Sequence, residues 1–257
     1  MTHIYNNTFF DYIDHGARSS AREFIALLKP WLAPDSVLDL GCGRGVWLDE
    51  WRASGVADVM GVDGDYVDRA NLAIPAEQFM GTDLTQPVKT DRHFALAQSL
   101  EVGEHLPTKA SEALVQSLTD AADVVVFSAA TVGQGGEFHV NEQPLHFWQD
   151  LFAKRGYQAF DCLRPEMKGN TEVEPWYRYN AIVYVRDTAV ADLPDHIRAT
   201  GIPAGEKVRD GGDLMWKLRR NIVGHLPQGT VTKIAQARAK IIAARANARK
   251  SQSEAAA

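Results

Sequence analysis

Asp39-Leu40-Gly41-Cys42-Gly43-Arg44-Gly45 joins one acid to three glycines at alternate positions, directly after a short apolar run. Glycines there let the backbone turn sharply and let a ligand come close to a helix N-terminus. The spacing differs from the dinucleotide fingerprint G-x-G-x-x-G, because the third glycine arrives one residue early and Val46 stands in its place. Asp39 would repel a pyrophosphate and suits a ligand with an ammonium near the loop. Asp63, 24 positions further on, ends the second apolar run, where a carboxylate can accept both hydroxyls of a ribose. Asp83, in Gly81-Thr82-Asp83-Leu84, follows the third run and can accept from an adenine amino group. Together the three acids fit a nucleoside attached to an amino acid, without phosphate. A lone glycine motif is often only a tight turn; the register of Asp63, Asp83 and Glu101 behind it is the stronger signal.

The elements that must position these residues alternate along the chain. Short apolar runs at Val37–Leu40, Asp58–Asp63, Gln78–Met80, Phe94–Leu100 and Asp123–Ala129 read as strands. Between them Val46–Ser54, Tyr66–Leu72 and Lys109–Ala122 read as helices, and Ser20–Leu32 precedes them as a helix capped by Ser19 or Ser20. Such alternation implies a doubly wound, mostly parallel sheet covered on both faces. After the fifth strand, Pro144–Arg155 reads as a helix ending at Gly156, and Tyr157–Leu163 and Tyr179–Val185 as two strands joined by a loop. That connection favours an antiparallel pair at one sheet edge.

The chain resembles the class I S-adenosylmethionine-dependent methyltransferases, whose first motif is acid-x-Gly-x-Gly-x-Gly, over about residues 16–186. The resemblance implies seven strands with the last antiparallel, S-adenosylmethionine as cofactor, Gly41, Gly43 and Gly45 along its methionine moiety, Asp63 at the ribose, and Asp83 with Leu84 at the adenine. Glu101-Val102-Gly103-Glu104-His105-Leu106-Pro107 is similar to a segment that lies below the cofactor's sulfonium, which adds Glu101 to Asp39 among the acids around a cation. A looser likeness, in the His139–Pro144 loop, Arg164-Pro165 and Trp176–Asn180, is to methyltransferases of bacterial glycan or natural-product assembly.

Methyl transfer is a direct displacement, so the protein must align the nucleophile and take its proton. The loop Gln134–Pro144 is the most polar in the body, and His139 in it is the first choice for that base, since an imidazole titrates near neutral pH. The bland alternative for His139 is a loop residue that places the next helix. His105 and Glu104 follow as candidates, and His146, beside Phe147 and Trp148, reads as packing. Glu-x-x-Glu-His also looks like the metal-binding run of small-RNA 2′-O-methyltransferases, with His139 and His146 as further ligands for Mg²⁺ or Mn²⁺. The expectation adopted is a site without metal. Trp176 and Tyr179, with interleaved Arg178, either floor an acceptor pocket or pack the edge strand.

Charge divides the 257-residue chain. Residues 1–200 carry 16 basic and 29 acidic side chains, a net of −13, and residues 201–257 carry 11 basic and 4 acidic, a net of +7. Gly201–Gly205 reads as a linker, which gives a methyltransferase domain over 1–190 and a basic, mostly helical extension over 191–257, including Lys233–Ser251. Gly212–Val223 is basic and amphipathic, with Leu214, Leu218 and Ile222 in line; it suits fold-back on the acidic body or a dimer contact first, then an anionic membrane surface, then RNA. The acidic body speaks against DNA and makes RNA an unfavoured partner. Cys42 and Cys162 cannot form a disulfide framework, and Met1–Asp14 lacks the apolar core of a signal peptide, so a cytoplasmic protein is expected. No run is long enough to span a bilayer. The expected activity is methyl transfer to a hydroxyl of a small molecule or glycan acceptor. The runners-up are metal-assisted RNA 2′-O-methylation and a non-catalytic cofactor-binding subunit.

Overall fold

The computed structural model describes residues 7–227 and 229–237. In chain order it contains α1 (Asn7–Leu32), β1 (Ser36–Leu40), α2 (Val46–Ala53), β2 (Asp58–Asp63), β3 (Phe79–Gly81), β4 (Leu96–Leu100), α3 (Ser111–Ala121) and β5 (Val124–Ser128). Then follow α4 (Leu145–Ala153), β6 (Tyr157–Phe160), α5 (Leu163–Glu166), α6 (Pro175–Asn180), β7 (Ile182–Arg186), α7 (Asp195–Arg198) and α8 (Leu214–Gly224). The strands form one sheet in the order β3-β2-β1-β4-β5-β7-β6. β7 runs antiparallel to both β5 and β6, and the other pairs are parallel. This is the seven-stranded α/β sheet with an antiparallel last strand that the resemblance implies, followed by a helical C-terminal segment.

The central strands β1 and β4 are buried at every position because both faces are covered. Successive residues therefore feed opposite cores. Val37, Leu96, Val126, Val183 and Val185 pack with α1 and α2 residues such as Phe24, Leu28, Leu48 and Trp51. Leu38, Leu40, Ala97, Phe127 and Tyr184 pack with α3 and α4 through Leu114, Leu118, Trp148 and Phe152. Parallel register brings the carboxyl ends to one edge: Leu40 pairs with Val62, Asp63 with Gly81, and Leu100 with Ser128. β1 lies between β2 and β4, so the strand order reverses at that point, where open sheets of this kind bind ligands.

Three local expectations are corrected. α1 begins at Asn7, and Ser20 is a buried mid-helix residue whose hydroxyl donates to Gly16 O and accepts from Glu174 N. Tyr66–Leu72 is not a helix but contains a single 3₁₀ turn at Arg69–Asn71, because Asp68 caps Ala70 locally and Tyr66 is drawn back to Asp63. The connection between β6 and β7 carries α5 and α6, with Pro175 starting the second of these.

Beyond β7 the chain stays on the body. Gly201 bridges to Phe160, Ile202 N donates to Ala159 O, and Val208 is buried with its N–H on Gln149 Oε1. Of the helix expected over Lys233–Ser251, residues up to 237 are helical, and the remainder lies outside the described residues.

Candidate active site

The loop after β1 is built as its glycines suggest. Gly41, Gly43 and Gly45 all have positive φ, of 89°, 54° and 81°, which disfavours any residue with a Cβ. A Cβ at Gly41 would also sit 2.3 Å from Val102 Cγ2, whereas at Gly43 it would meet nothing within 4 Å. The loop thus packs against the Val102 turn on one side and is open at Gly43. Asp63 at the end of β2 fixes its shape, with Oδ2 accepting from Gly43 N at 2.7 Å and Oδ1 from Gly64 N at 2.6 Å. Tyr66, itself 82% exposed, donates its hydroxyl to Asp63 Oδ1 at 2.5 Å. The sequence signals of Tyr66 pointed to a helix face, and this contact with the acid is one that pattern reading missed.

Asp39 precedes the loop on β1. It is only 3% exposed, and its Oδ2 accepts from Gln98 Nε2, whose Oε1 in turn accepts from Trp51 Nε1. The carboxyl is thus tied to β4 through Gln98, at the end of β1 from which the glycine loop departs. Burial pushes it up to about 7, with the charge of Asp63 adding to the effect and Gln98 opposing it. An unfolded aspartate titrates near 4, so the folded state binds the proton more tightly and stability falls as pH rises from about 4 through 7. Asp39→Asn removes that dependence. The melting temperature of the variant relative to wild type, measured without ligand, is therefore expected to rise from pH 5 to pH 8 by the equivalent of about 2 kcal/mol. A constant difference would overturn the assignment.

At β3, Asp83 is exposed and accepts from Thr85 N and Thr85 Oγ1, while Leu84 is buried in the core with α3. Both follow the carboxyl end of β3, one strand beyond Asp63.

The densest chemistry follows β4 and β5. Glu101 has a positive φ of 58°, uncommon for a residue with a side chain. Its N–H donates to Ser128 O, and its carboxylate accepts from Gln134 Nε2 at 2.8 Å and Asn180 Nδ2 at 3.3 Å. Asn180 Nδ2 also donates to Gln134 Oε1, so three segments remote in sequence are tied at one acid. Glu104, in the 3₁₀ turn Gly103–His105, is fully buried, and neither carboxyl oxygen has a hydrogen-bond partner among the described residues. Burial, with the nearby Glu101 charge, pushes Glu104 well above the usual carboxylate range. Burial likewise holds His105 down at about 4, assisted by the neighbouring His139, so it is neutral at pH 7.

The loop 131–143 is folded onto this turn. Glu104 O accepts from Val140 N and Asn141 N, and Asn141 Nδ2 donates to Gly103 O and Ser111 Oγ. Phe138 takes a positive φ of 60°, and the next residue, His139, lies edge-on to His105 with ring centroids 4.9 Å apart. His139 Nδ1 contacts Glu142 Oε1 at 2.8 Å. Glu142 is fixed in turn by Gly135 N on Oε1 and Gly133 N on Oε2. It stays below the usual carboxylate range: burial alone would raise it, and the His139 contact with the two N–H groups outweighs that. A carboxylate that orients an imidazole in this way is the pairing a general base requires.

The three catalytic candidates, His139, His105 and Glu104, are thus brought together; one ligand atom from each lies within 4.8 Å of the others. His146 is not part of that cluster. Trp176 is half-buried against the α1–α2 core. Tyr179 instead packs on Trp216 of α8, with its hydroxyl on Asp213. Gln134, Glu142 and Asn180 were noted in the sequence only as polar loop or strand residues. The one sequence signal for them was their place in the two polar segments that flank the last strands.

A family model described as "Methyltransferase domain" matches residues 13–161, more than half of the chain. No curated protein sequence matches it significantly. Among solved structures, the chain is similar to magnesium protoporphyrin IX methyltransferase of Synechocystis PCC 6803 with bound SAH, at 18% identity and a TM-score of 0.48, covering 71% of this chain and 96% of that one. It is similar at 18% identity and a TM-score of 0.49 to the methyltransferase domain of a bacterial Hen1, covering 66% and 97%. DesVI of Streptomyces venezuelae matches at 20% identity and a TM-score of 0.41, covering 48% of this chain and 55% of DesVI, so the chain spans about half the length of that protein.

Proposed function

The chain belongs to the class I S-adenosylmethionine-dependent methyltransferase family, and from that premise we propose that it methylates a hydroxyl of a small-molecule or glycan acceptor with general-base assistance. The observation that carries this reading is the Glu142–His139 pair at the carboxyl edge of β4 and β5. An alkyl hydroxyl is a weak nucleophile at neutral pH and gains from a positioned base, whereas a neutral amine has less need of one.

The residues present fit the cofactor. The glycine loop is open at Gly43, and Asp63 already accepts a hydroxyl, that of Tyr66, as it would accept a ribose hydroxyl. When bound, S-adenosylmethionine supplies an electrophilic methyl group on a sulfonium. The chain's own part is to hold, orient and deprotonate. Asp63 takes the ribose, the glycine loop lines the methionine moiety, Asp83 and Leu84 flank the adenine, and the Glu101 carboxylate with its Gln134 and Asn180 donors sets the polar wall at the β4 end. Glu142 keeps His139 oriented so that the imidazole receives the acceptor proton, and neutral His105 packs against its ring.

The test is product analysis. With S-adenosylmethionine and a panel of sugar hydroxyls, phenols and amines, O-methyl products are expected; N-methyl products alone, or no S-adenosylhomocysteine with any acceptor, would overturn the reading in favour of an N-methyltransferase or a cofactor-binding subunit.

A second reading rests on Glu104. Two buried carboxyl oxygens without partners among the described residues, beside His105 and His139, are a donor set that suits Mg²⁺ or Mn²⁺. The alternative is that Glu104 is simply protonated, as its burial favours. The two readings compete for His139, since one imidazole nitrogen cannot hold a cation and take a proton together. Calorimetric titration with Mn²⁺ separates them: the base reading expects no binding and activity that survives a chelator. Micromolar binding abolished by Glu104→Gln would establish the metal and reopen RNA as acceptor.

A further inference from the structure

α8 has two faces with different uses. Its inner face is fixed to the loop that carries His139. Asp213 caps it by accepting from Trp216 N, Trp216 is buried beside Tyr179, and Arg219 Nη1 donates to Gln134 O at 2.8 Å. Arg220 donates from Nε and Nη2 to Val132 O while Nη1 holds Asp210. The outer face is apolar and uncovered. Leu214 is 81% exposed, Met215 72%, Leu218 52% and Ile222 58%, and Leu226 extends the stripe. At 100° per residue the four helical members fall within one arc of about 100°, bordered by Lys217 and Asn221 on one side, and Leu226 follows just past the helix end.

Charge decides what this face is for. Besides Arg219 and Arg220 of the inner face, the sequence from Leu214 to Ser253 holds seven Lys and Arg, and no Asp or Glu. A second copy laying the same face against this one would bring the same positive charge with it, which disfavours a symmetric pairing. A nucleic acid would answer the charge but not the leucines. An anionic lipid surface answers both, because apolar side chains enter the acyl boundary while the basic ones meet the headgroups.

We propose that the outer face of α8 docks the protein on an anionic lipid surface. No described helix is long and apolar enough to cross a membrane, and none is needed for a helix lying in the interface. Val132, Phe138 and Val140, in the loop that α8 holds, are exposed apolar residues as well, so docking would bring the mouth of the site to the surface. The inference goes beyond the proposed methyl transfer and does not depend on it.

Flotation of the full chain with phosphatidylcholine vesicles containing about 30% phosphatidylglycerol tests it. Binding is expected that weakens with salt, is at least about tenfold lower on pure phosphatidylcholine, and falls by at least about tenfold in Leu218→Glu/Ile222→Glu. S-adenosylhomocysteine binding by that variant reports that it has folded. Should it not fold, amide exchange of wild type decides: residues 214–226 are expected to gain protection on the anionic vesicles. Absence of vesicle binding by wild type would overturn the proposal, as would equal binding by the folded variant. So would a wild-type dimer without vesicle binding that the variant turns into monomer, or affinity for RNA alone.

Discussion

Replacing His139 by alanine is expected to lower kcat by about a hundred- to ten-thousandfold, the range for loss of a positioned base, while S-adenosylhomocysteine affinity stays within about twofold. The second half of that expectation comes from where His139 sits. Its contacts include Glu142 and His105, on the β4–β5 side of the edge, whereas the glycine loop is shaped by Asp63 and Val102. Glu142→Gln is the informative companion. The amide keeps an oxygen for Gly133 or Gly135, so the loop retains an anchor, but the charge opposite the imidazole is gone. It should lower kcat by about ten- to a hundredfold, and the double variant should be no worse than His139→Ala alone, because groups that act as a unit lose their effect together. Additive losses, or a parallel fall in kcat and cofactor affinity, would remove the pair from the chemistry and leave it as a loop anchor.

What the sequence made legible follows from how each feature is encoded. Strands buried on both faces are mostly apolar, so β1, β2 and β5 stand out as runs, and the glycines and acids that end them mark the sheet's carboxyl edge. A ligand site at that edge is then a matter of topology. The segment Tyr66–Leu72 was misjudged because apolar residues at helical spacing say nothing about Asp68, whose side chain offers the backbone a local turn instead. The burial of Asp39 was not legible in the sequence. Nothing in its own neighbourhood reports that Gln98 and Trp51, 59 and 47 positions apart from their partners, close over it.

The Glu142–His139 pair was half visible. The loop's polarity singled out His139, but the pairing depends on Phe138 taking a left-handed backbone and on two glycine N–H groups converging on one carboxylate. Loop geometry of that kind has no period, so it leaves no pattern to read. The same holds for Asn180, which reaches Glu101 across 79 positions. Residue types with chemical capacity were recognisable; which of them meet was settled by tertiary contacts.

At the other end of the site, Asp63→Ala is expected to weaken S-adenosylhomocysteine binding by between about tenfold and a hundredfold, the equivalent of about 1.5–3 kcal/mol for a lost charged hydrogen bond. Calorimetry measures this without any acceptor. Asp63 is 5% exposed, and its two oxygens hold Gly43 N, Gly64 N and the Tyr66 hydroxyl, so part of the loss comes from a loosened loop. Two further variants separate that part. Asp63→Asn keeps the size and one acceptor oxygen and should recover less than half of the lost free energy, because the amide places a donor where the carboxylate had an acceptor. Tyr66→Phe removes the hydroxyl that occupies Oδ1 before the ligand arrives. If a ribose hydroxyl takes that same oxygen, the variant frees it in advance, and binding is expected to be unchanged or up to about fivefold tighter by the worth of one net hydrogen bond. A Tyr66→Phe variant that loses affinity as Asp63→Ala does would mean that the tyrosine hydroxyl stays in place when the ligand binds, and that the ribose is held elsewhere.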